Sequence, residues 1–127
     1  MVAISLKRLA LPALALLAAT LPAAARPTQS SFDGRWSVVI VTDAGTCDTS
    51  YRYGLVVSRG RLSYAGDSGV VISGGVDPRG HVSVSLRYGE AAAQGSGRLS
   101  GTGGAGRWQG ASSGTRCSGH WQAERRG

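Results

Sequence analysis

Two histidines and two cysteines carry the most versatile side chains in this sequence, and their placement decides how much catalysis to expect. His81 and His120 lie far apart and share no metal-ligand spacing. Both fall on what reads as the polar face of a strand, where an imidazole meets solvent. A haem iron would require an axial ligand inside an apolar pocket, and that placement argues against either one. Ser96 sits between glycines but lacks the Gly-x-Ser-x-Gly pattern of a nucleophile elbow. The glycine-rich stretch 101–106 is not a phosphate loop, because no helical pattern follows to offer its N-terminus. Cys47 and Cys117 can consume one another in a disulfide, which removes a thiol nucleophile. The expectation is a protein that is not an enzyme, with no catalytic residue, no metal site and no cofactor.

The N-terminus says where such a protein would work. Lys7 and Arg8 give a short positive start, residues 9–22 are almost wholly apolar, and Ala23, Ala24 and Ala25 supply the small residues a signal peptidase reads. The apolar run is shorter than the roughly 20 residues of a spanning helix, and Pro12 and Pro22 interrupt it. Residues 1–25 therefore read as a cleaved signal peptide, 26–31 as a flexible leader and 32–127 as a single domain. No transmembrane anchor would remain, and no Cys follows the cut to carry lipid. The expected destination is the periplasm or the outside of a bacterium.

Removing 25 of 127 residues leaves 102, enough for one domain and too few for two. A domain of that size buries a modest share of its surface, so covalent help is plausible on physical grounds. In an oxidising compartment Cys47 and Cys117 have one intramolecular pairing open to them; the alternative is two free thiols. The bridge would close a loop of roughly 70 residues, which the chain-entropy treatment values at about 4 kcal/mol.

The elements that must position these residues are strands. No segment has the i, i+3, i+4 apolar spacing of a helix. Short alternating runs recur instead, separated by glycine-containing turns. Strands are predicted over 36–42, 50–57, 61–64, 70–76, 81–88, 91–99, 107–110 and 117–124, with a glycine-rich turn at 101–105. Tyr51, Tyr53, Leu55 and Val57 share one face; so do Val82, Val84, Leu86 and Tyr88. Asp77-Pro78-Arg79-Gly80 is the clearest turn, with Pro78 presetting φ and Gly80 accepting the left-handed position. Strand one is ambiguous, because Val38 to Val41 are all apolar and both of its faces may be covered. Eight short antiparallel strands suggest a small all-β up-and-down barrel. The disulfide agrees with an even count: Cys47 follows strand one and Cys117 opens strand eight, which meet at one end of the seam. An odd count would put the two cysteines at opposite ends.

Each of the three tryptophans follows a glycine by two residues: Gly34 and Trp36, Gly106 and Trp108, Gly119 and Trp121. Positions i and i+2 share a strand face, so each glycine is expected to leave room for its own indole to lie over the backbone. Trp36, Trp108 and Trp121 are the expected structural core.

Charge is the other distinctive property. The 14 cations of the full sequence lose Lys7 and Arg8 with the expected signal peptide, so 12 arginines and no lysine face 7 acids. Arginine forks bidentately onto carboxylate and phosphate. The arginines are spread rather than run together, which argues against specific nucleic-acid binding. The strand order places Arg35, Arg59, Arg61, Arg79, Arg98, Arg107, Arg125 and Arg126, with Asp33, Asp77 and Glu124, at the end holding the tight turns and both chain ends. These eight are the candidate contacts to an anionic surface. The opposite end holds Arg52, Arg87 and Arg116 against Asp43, Asp48, Asp67 and Glu90.

The Gly-x-Trp of strand one together with Arg125 and Arg126 at the end of the last strand resembles the lipocalin and avidin-type (calycin-like) barrels. In those a cation from the final strand packs over the first-strand tryptophan. From Phe32-Asp33-Gly34-Arg35-Trp36-Ser37 to Ser118-Gly119-His120-Trp121-Gln122-Ala123-Glu124-Arg125, the mature chain also resembles a group of small, exported, glycine-rich bacterial proteins. That likeness implies export and no particular activity.

The expected function is an exported binding or interaction module that docks on an anionic envelope component or protein. One alternative is a small periplasmic inhibitor of a protease or lysozyme, for which the leader 26–31 is the only candidate plug; that rests on fold analogy alone. Another is a structural role in the envelope. The cut itself is directly measurable: the intact mass of the exported protein should match residues 26–127, and recovery of residues 1–25 in a membrane fraction would contradict it.

Overall fold

The fold was described from a computed structural model, over residues 31–66 and 69–127. Residues 1–25, read as a signal peptide, and all but the last residue of the expected leader 26–31 lie outside the described residues. Eight antiparallel strands form a closed barrel in sequence order. They are β1 (Gly34–Ala44), β2 (Ser50–Ser58), β3 (Arg61–Tyr64), β4 (Val70–Val76), β5 (His81–Tyr88), β6 (Ala91–Ser100), β7 (Gly103–Ser112) and β8 (Thr115–Arg125).

Alternation sets the register. Ladder partners share a face, so Trp36↔Leu55, Val38↔Tyr53 and Ile40↔Tyr51 put β1 and β2 in phase. Val82↔Gly97, Val84↔Gly95 and Leu86↔Ala93 do the same for β5 and β6. The alternate residues face out: His81, Ser83, Ser85 and Arg87 are all exposed. On β1, Val38 is buried whereas Val39 and Val41 lie half-exposed on the outer wall, so only its inner face belongs to the core. The Asp77–Gly80 turn closes as expected, with Gly80 N–H donating to Asp77 O at 2.9 Å and Gly80 at φ +91°.

One strand departs from the sequence-based expectation. β7 runs over Gly103–Ser112 rather than 107–110, and the turn before it is two residues, 101–102. Glycine weakens an isolated strand because it has no side chain to pack. Here Gly103, Gly104 and Gly106 remain in the ladder with β8, opposite Glu124, Ala123 and Trp121.

β1 and β8 pair from Trp36↔Arg125 to Thr42↔Gly119 before the register shifts. At one end of this seam the Arg125 guanidinium lies 4.9 Å from the Trp36 ring centroid. It also donates to the carbonyls of Asp33 at 3.0 Å and Ser31 at 2.6 Å, and the Trp36 indole donates to Phe32 O at 2.9 Å. Phe32 is thereby folded over this end and buried with Trp36, Val57, Leu62, Val76, Val82 and Leu99. The chain terminus is tied in as well, through Arg126 N–H to Arg35 O and Arg35 N–H to Gly127 O. This is the closed end of the barrel.

Cys47 and Cys117 form the disulfide at the other end, with Cα atoms 6.2 Å apart. Reduction should lower stability by a few kcal/mol. The loss should fall below the about 4 kcal/mol of a free loop, because the β1–β8 ladder already holds the ends together. Equal denaturation midpoints with and without reductant would show that the bridge contributes nothing.

Candidate functional site

The inner faces of β6 and β7 carry small residues: Ala91, Ala93, Gly95 and Gly97 on one, Gly104, Gly106 and Gly110 on the other. Leu99 and Trp108 are the large inward side chains of these two strands. Two adjacent strands so thinly furnished leave space, and the barrel encloses a cavity of about 350 Å³. Its floor is Trp36, Val57, Leu62 and Leu99, all buried at the closed end. Its upper lining includes Cys47, Tyr51, Tyr88, Ala91 and Ser112, which are exposed or half-exposed at the disulfide end. That end is the mouth. Among the described residues no carboxylate, guanidinium or imidazole lines the cavity.

The tryptophans and glycines fit together differently from the same-strand arrangement expected. β7 and β8 pair Gly106↔Trp121 and Trp108↔Gly119, so each Gly-x-Trp faces the other in reverse. A Cβ on Gly106 would lie 2.5 Å from Trp121 Cε2, and one on Gly119 would lie 2.9 Å from Trp108 Nε1. The glycine that receives an indole is its cross-strand partner, not the residue two before it. The physical reason is direction: each indole reaches sideways across the sheet. Trp121 crosses β7 to donate to Ser96 O at 3.1 Å, and Trp108 crosses β8 to donate to Val41 O at 2.9 Å. Gly34 has a different task, lying against Gly127 O and the Arg125 guanidinium. Trp36 and Trp121 are buried in the core, and Trp108 packs against it while lining the cavity.

All four tyrosines of the chain face inward in the mouth half of the barrel. Tyr51 and Tyr53 stack with centroids 6.3 Å apart, and Tyr53 meets Tyr64 edge-on at 6.0 Å. Burial raises the Tyr53 phenol above its ordinary pKa, and the phenols of Tyr51, Tyr64 and Tyr88 add to the shift. Tyr53 therefore stays protonated at neutral pH and can donate a hydrogen bond. This cluster was not anticipated as a site, although the shared face of Tyr51 and Tyr53 was legible.

The eight candidate arginines divide into three groups. Arg59, Arg61, Arg79 and Arg98 stand on the turns and outer strands of the closed end, with Arg35 near the seam. Among the described residues none of these five guanidinium groups makes an ion pair or hydrogen bond. Arg126 pairs with Glu124 at 3.4 Å. Arg125 is engaged on Trp36 and two carbonyls, and Arg107 lies at mid-barrel opposite Ser96 and His120. Arg125 and Arg107 thus do not belong to a free basic surface at this end: one faces inward, and the lengthening of β7 carries the other away. The acids that might neutralise the surface are committed to the backbone. Asp33 accepts from Arg59 N–H at 2.9 Å and Gly60 N–H at 3.2 Å. Asp77 accepts from the backbone of Arg79 and His81, and from the His81 ring at 3.1 Å. The His81 backbone bond is the largest cause holding the Asp77 carboxyl below its usual range.

His81 faces outward beside Asp77, and His120 faces outward with Nδ1 2.8 Å from Asp43. Among the described residues no serine hydroxyl bonds to His120. Among the described residues no three His, Cys, Asp or Glu side chains converge to hold a metal. Ser31, the last residue of the leader, gives its carbonyl to Arg125.

No protein-family model, curated protein or solved structure matches this chain. The site rests on its own geometry, and the interlocked wall is its most exacting part. Gly106→Ala and Gly119→Ala should each cost about 1–3 kcal/mol, because a Cβ there would run into a neighbouring backbone carbonyl (Ser96 O or Val41 O) as well as the indole of Trp121 or Trp108. Gly103→Ala, whose Cβ would meet nothing nearer than Ala123 O at 3.7 Å, should be close to neutral. Chemical denaturation of the three variants checks this, and equal midpoints would refute the interlock.

Proposed function

We propose that this protein is an exported, non-enzymatic binding module that holds an apolar small molecule in its barrel. The supporting observation is the cavity of about 350 Å³ floored by Trp36, Val57 and Leu62, with no charged side chain among the described residues that line it. At interior packing density such a space takes on the order of fifteen non-hydrogen atoms. Burying about 250 Å² of ligand surface at roughly 25 cal/mol per Å² is worth about 6 kcal/mol, which corresponds to dissociation constants of tens of micromolar. The aromatic wall makes Trp fluorescence a built-in reporter.

A second reading is supported by the closed end: docking on an anionic envelope component, with the mouth left facing away. Arg59, Arg61, Arg79 and Arg98 are unpaired there because Asp33 and Asp77 are spent on turns. Arg59 also holds a left-handed backbone, φ 52°, where glycine or asparagine would cost less. Exposed arginine contacts are individually weak and screened beyond about 8 Å at physiological salt. Docking of this kind is collective and salt-sensitive.

Titration with decanol, decanoate and N-phenyl-1-naphthylamine, followed by Trp fluorescence, tests the first reading. At least one should bind saturably at one site, and Ala93→Phe, which fills the cavity, should weaken it at least tenfold. Failure of all three would refute it. For the second reading, replacing Arg59, Arg61 and Arg79 together by Gln should abolish salt-sensitive retention on phosphatidylglycerol vesicles without changing the melting transition. Undiminished retention, or none by the parent protein, would refute docking.

A further inference from the structure

We infer that the barrel cavity selects a neutral, flat aromatic molecule of about ten to fifteen non-hydrogen atoms, carrying a hydroxyl or carbonyl on the edge that faces the mouth. This rests on the binding reading above and specifies its ligand. Three independent features of the lining converge on that class.

The first is electrostatic. A carboxylate in the cavity would find no arginine or histidine among its lining residues, and an ammonium would find no carboxylate. Taking an unpaired ion out of water costs several kcal/mol, so an ionised ligand is confined to the rim. The described arginines stand on the outer wall and at the ends.

The second is shape. Six of the lining residues are aromatic: Trp36, Trp108, Trp121, Tyr51, Tyr53 and Tyr88. Trp108 and Trp121 rest on the bare backbone of Gly119 and Gly106. Both indoles also line the cavity. Tyr51 and Tyr53, stacked at an interplanar angle of 23°, continue an aromatic surface on β2. Aromatic pairs in offset-stacked or edge-to-face geometry gain about 0.5–1.5 kcal/mol beyond area burial. A flat ring exploits this, whereas a flexible chain gains area alone and loses rotamer freedom.

The third is the position of the polar atoms. The floor is hydrocarbon and indole, and the three indole N–H groups are already spent on Phe32 O, Val41 O and Ser96 O. The side-chain hydrogen-bonding groups left to a ligand are at the upper end, chiefly the phenols of Tyr51, Tyr53 and Tyr88. A bound molecule therefore points its apolar edge to the floor and its polar edge to the mouth.

Three probes of one carbon skeleton separate these terms: 2-naphthol, 2-naphthoate and decahydro-2-naphthol, each titrated into the full mature protein with Trp fluorescence and calorimetry. Naphthol should bind at least tenfold more tightly than naphthoate and at least threefold more tightly than the saturated alcohol. Tyr53→Phe, which keeps the ring and removes the hydroxyl, should weaken naphthol severalfold and leave naphthalene unchanged. Ala93→Phe should abolish binding; if that variant does not fold, Ala91→Phe at the mouth serves in its place. Naphthoate or decahydronaphthol binding as well as naphthol, or Tyr53→Phe weakening naphthalene equally, would overturn the selectivity while leaving the binding reading intact. If no probe binds and the broader set above fails too, the binding reading itself falls.

Discussion

Pairing of β1 with β8 joins the two strands furthest apart in sequence, and the barrel has no inside until it forms. Bringing such distant segments together carries a loop-closure cost before any contact is gained. The seam is fastened at both ends by different chemistry. At the closed end the Arg125 guanidinium covers Trp36 and gathers the carbonyls of Ser31 and Asp33, which folds Phe32 over the floor. Arg125 is half-exposed, and a cation–π contact in such a setting is worth about 1 kcal/mol. At the mouth, Cys47 and Cys117 join the β1–β2 loop to β8. The covalent fastening stands at the end opposite the Phe32 and Trp36 cluster.

Closure creates a second demand, because the lumen must be lined from only alternate residues of short strands. β7 and β8 meet it with a reciprocal arrangement in which each indole lies on the other strand's glycine. With Ala and Gly at most inward positions of β6 and β7, the lumen is not filled. The same glycines that make the wall thin thus leave the cavity, and the aromatic surface of the cavity is a by-product of how the wall is built. Packing and site share one cause.

Much of the fold was legible in the residues. Alternation in 81–88 and 50–57 set two faces correctly, and the Asp77–Gly80 turn followed from Pro78 and Gly80. The position of Cys47 after one strand and Cys117 at the start of another favoured an even, closed meander. Residues 103–106 misled, because three glycines read as a turn until their cross-strand partners are known. The cavity was hidden for a related reason: its volume depends on which way Trp108 and Trp121 reach, and sequence spacing suggested their own strand. The basic end was partly legible. The cations of the turns were placed correctly, whereas Arg125 was counted as free although it faces inward, and Arg107 was assigned to an end it does not reach.

The central claim is that the lumen, not the outer wall, receives the ligand. Methyl-resolved NMR during titration with 2-naphthol tests it most directly, because inward and outward methyls alternate along the strands. The account predicts shifts concentrated on Val84, Leu86, Ala91 and Ala93, with outward-facing Val39 and Val71 unmoved. Shifts on Val39 or Val71, or an even spread over both faces, would contradict it.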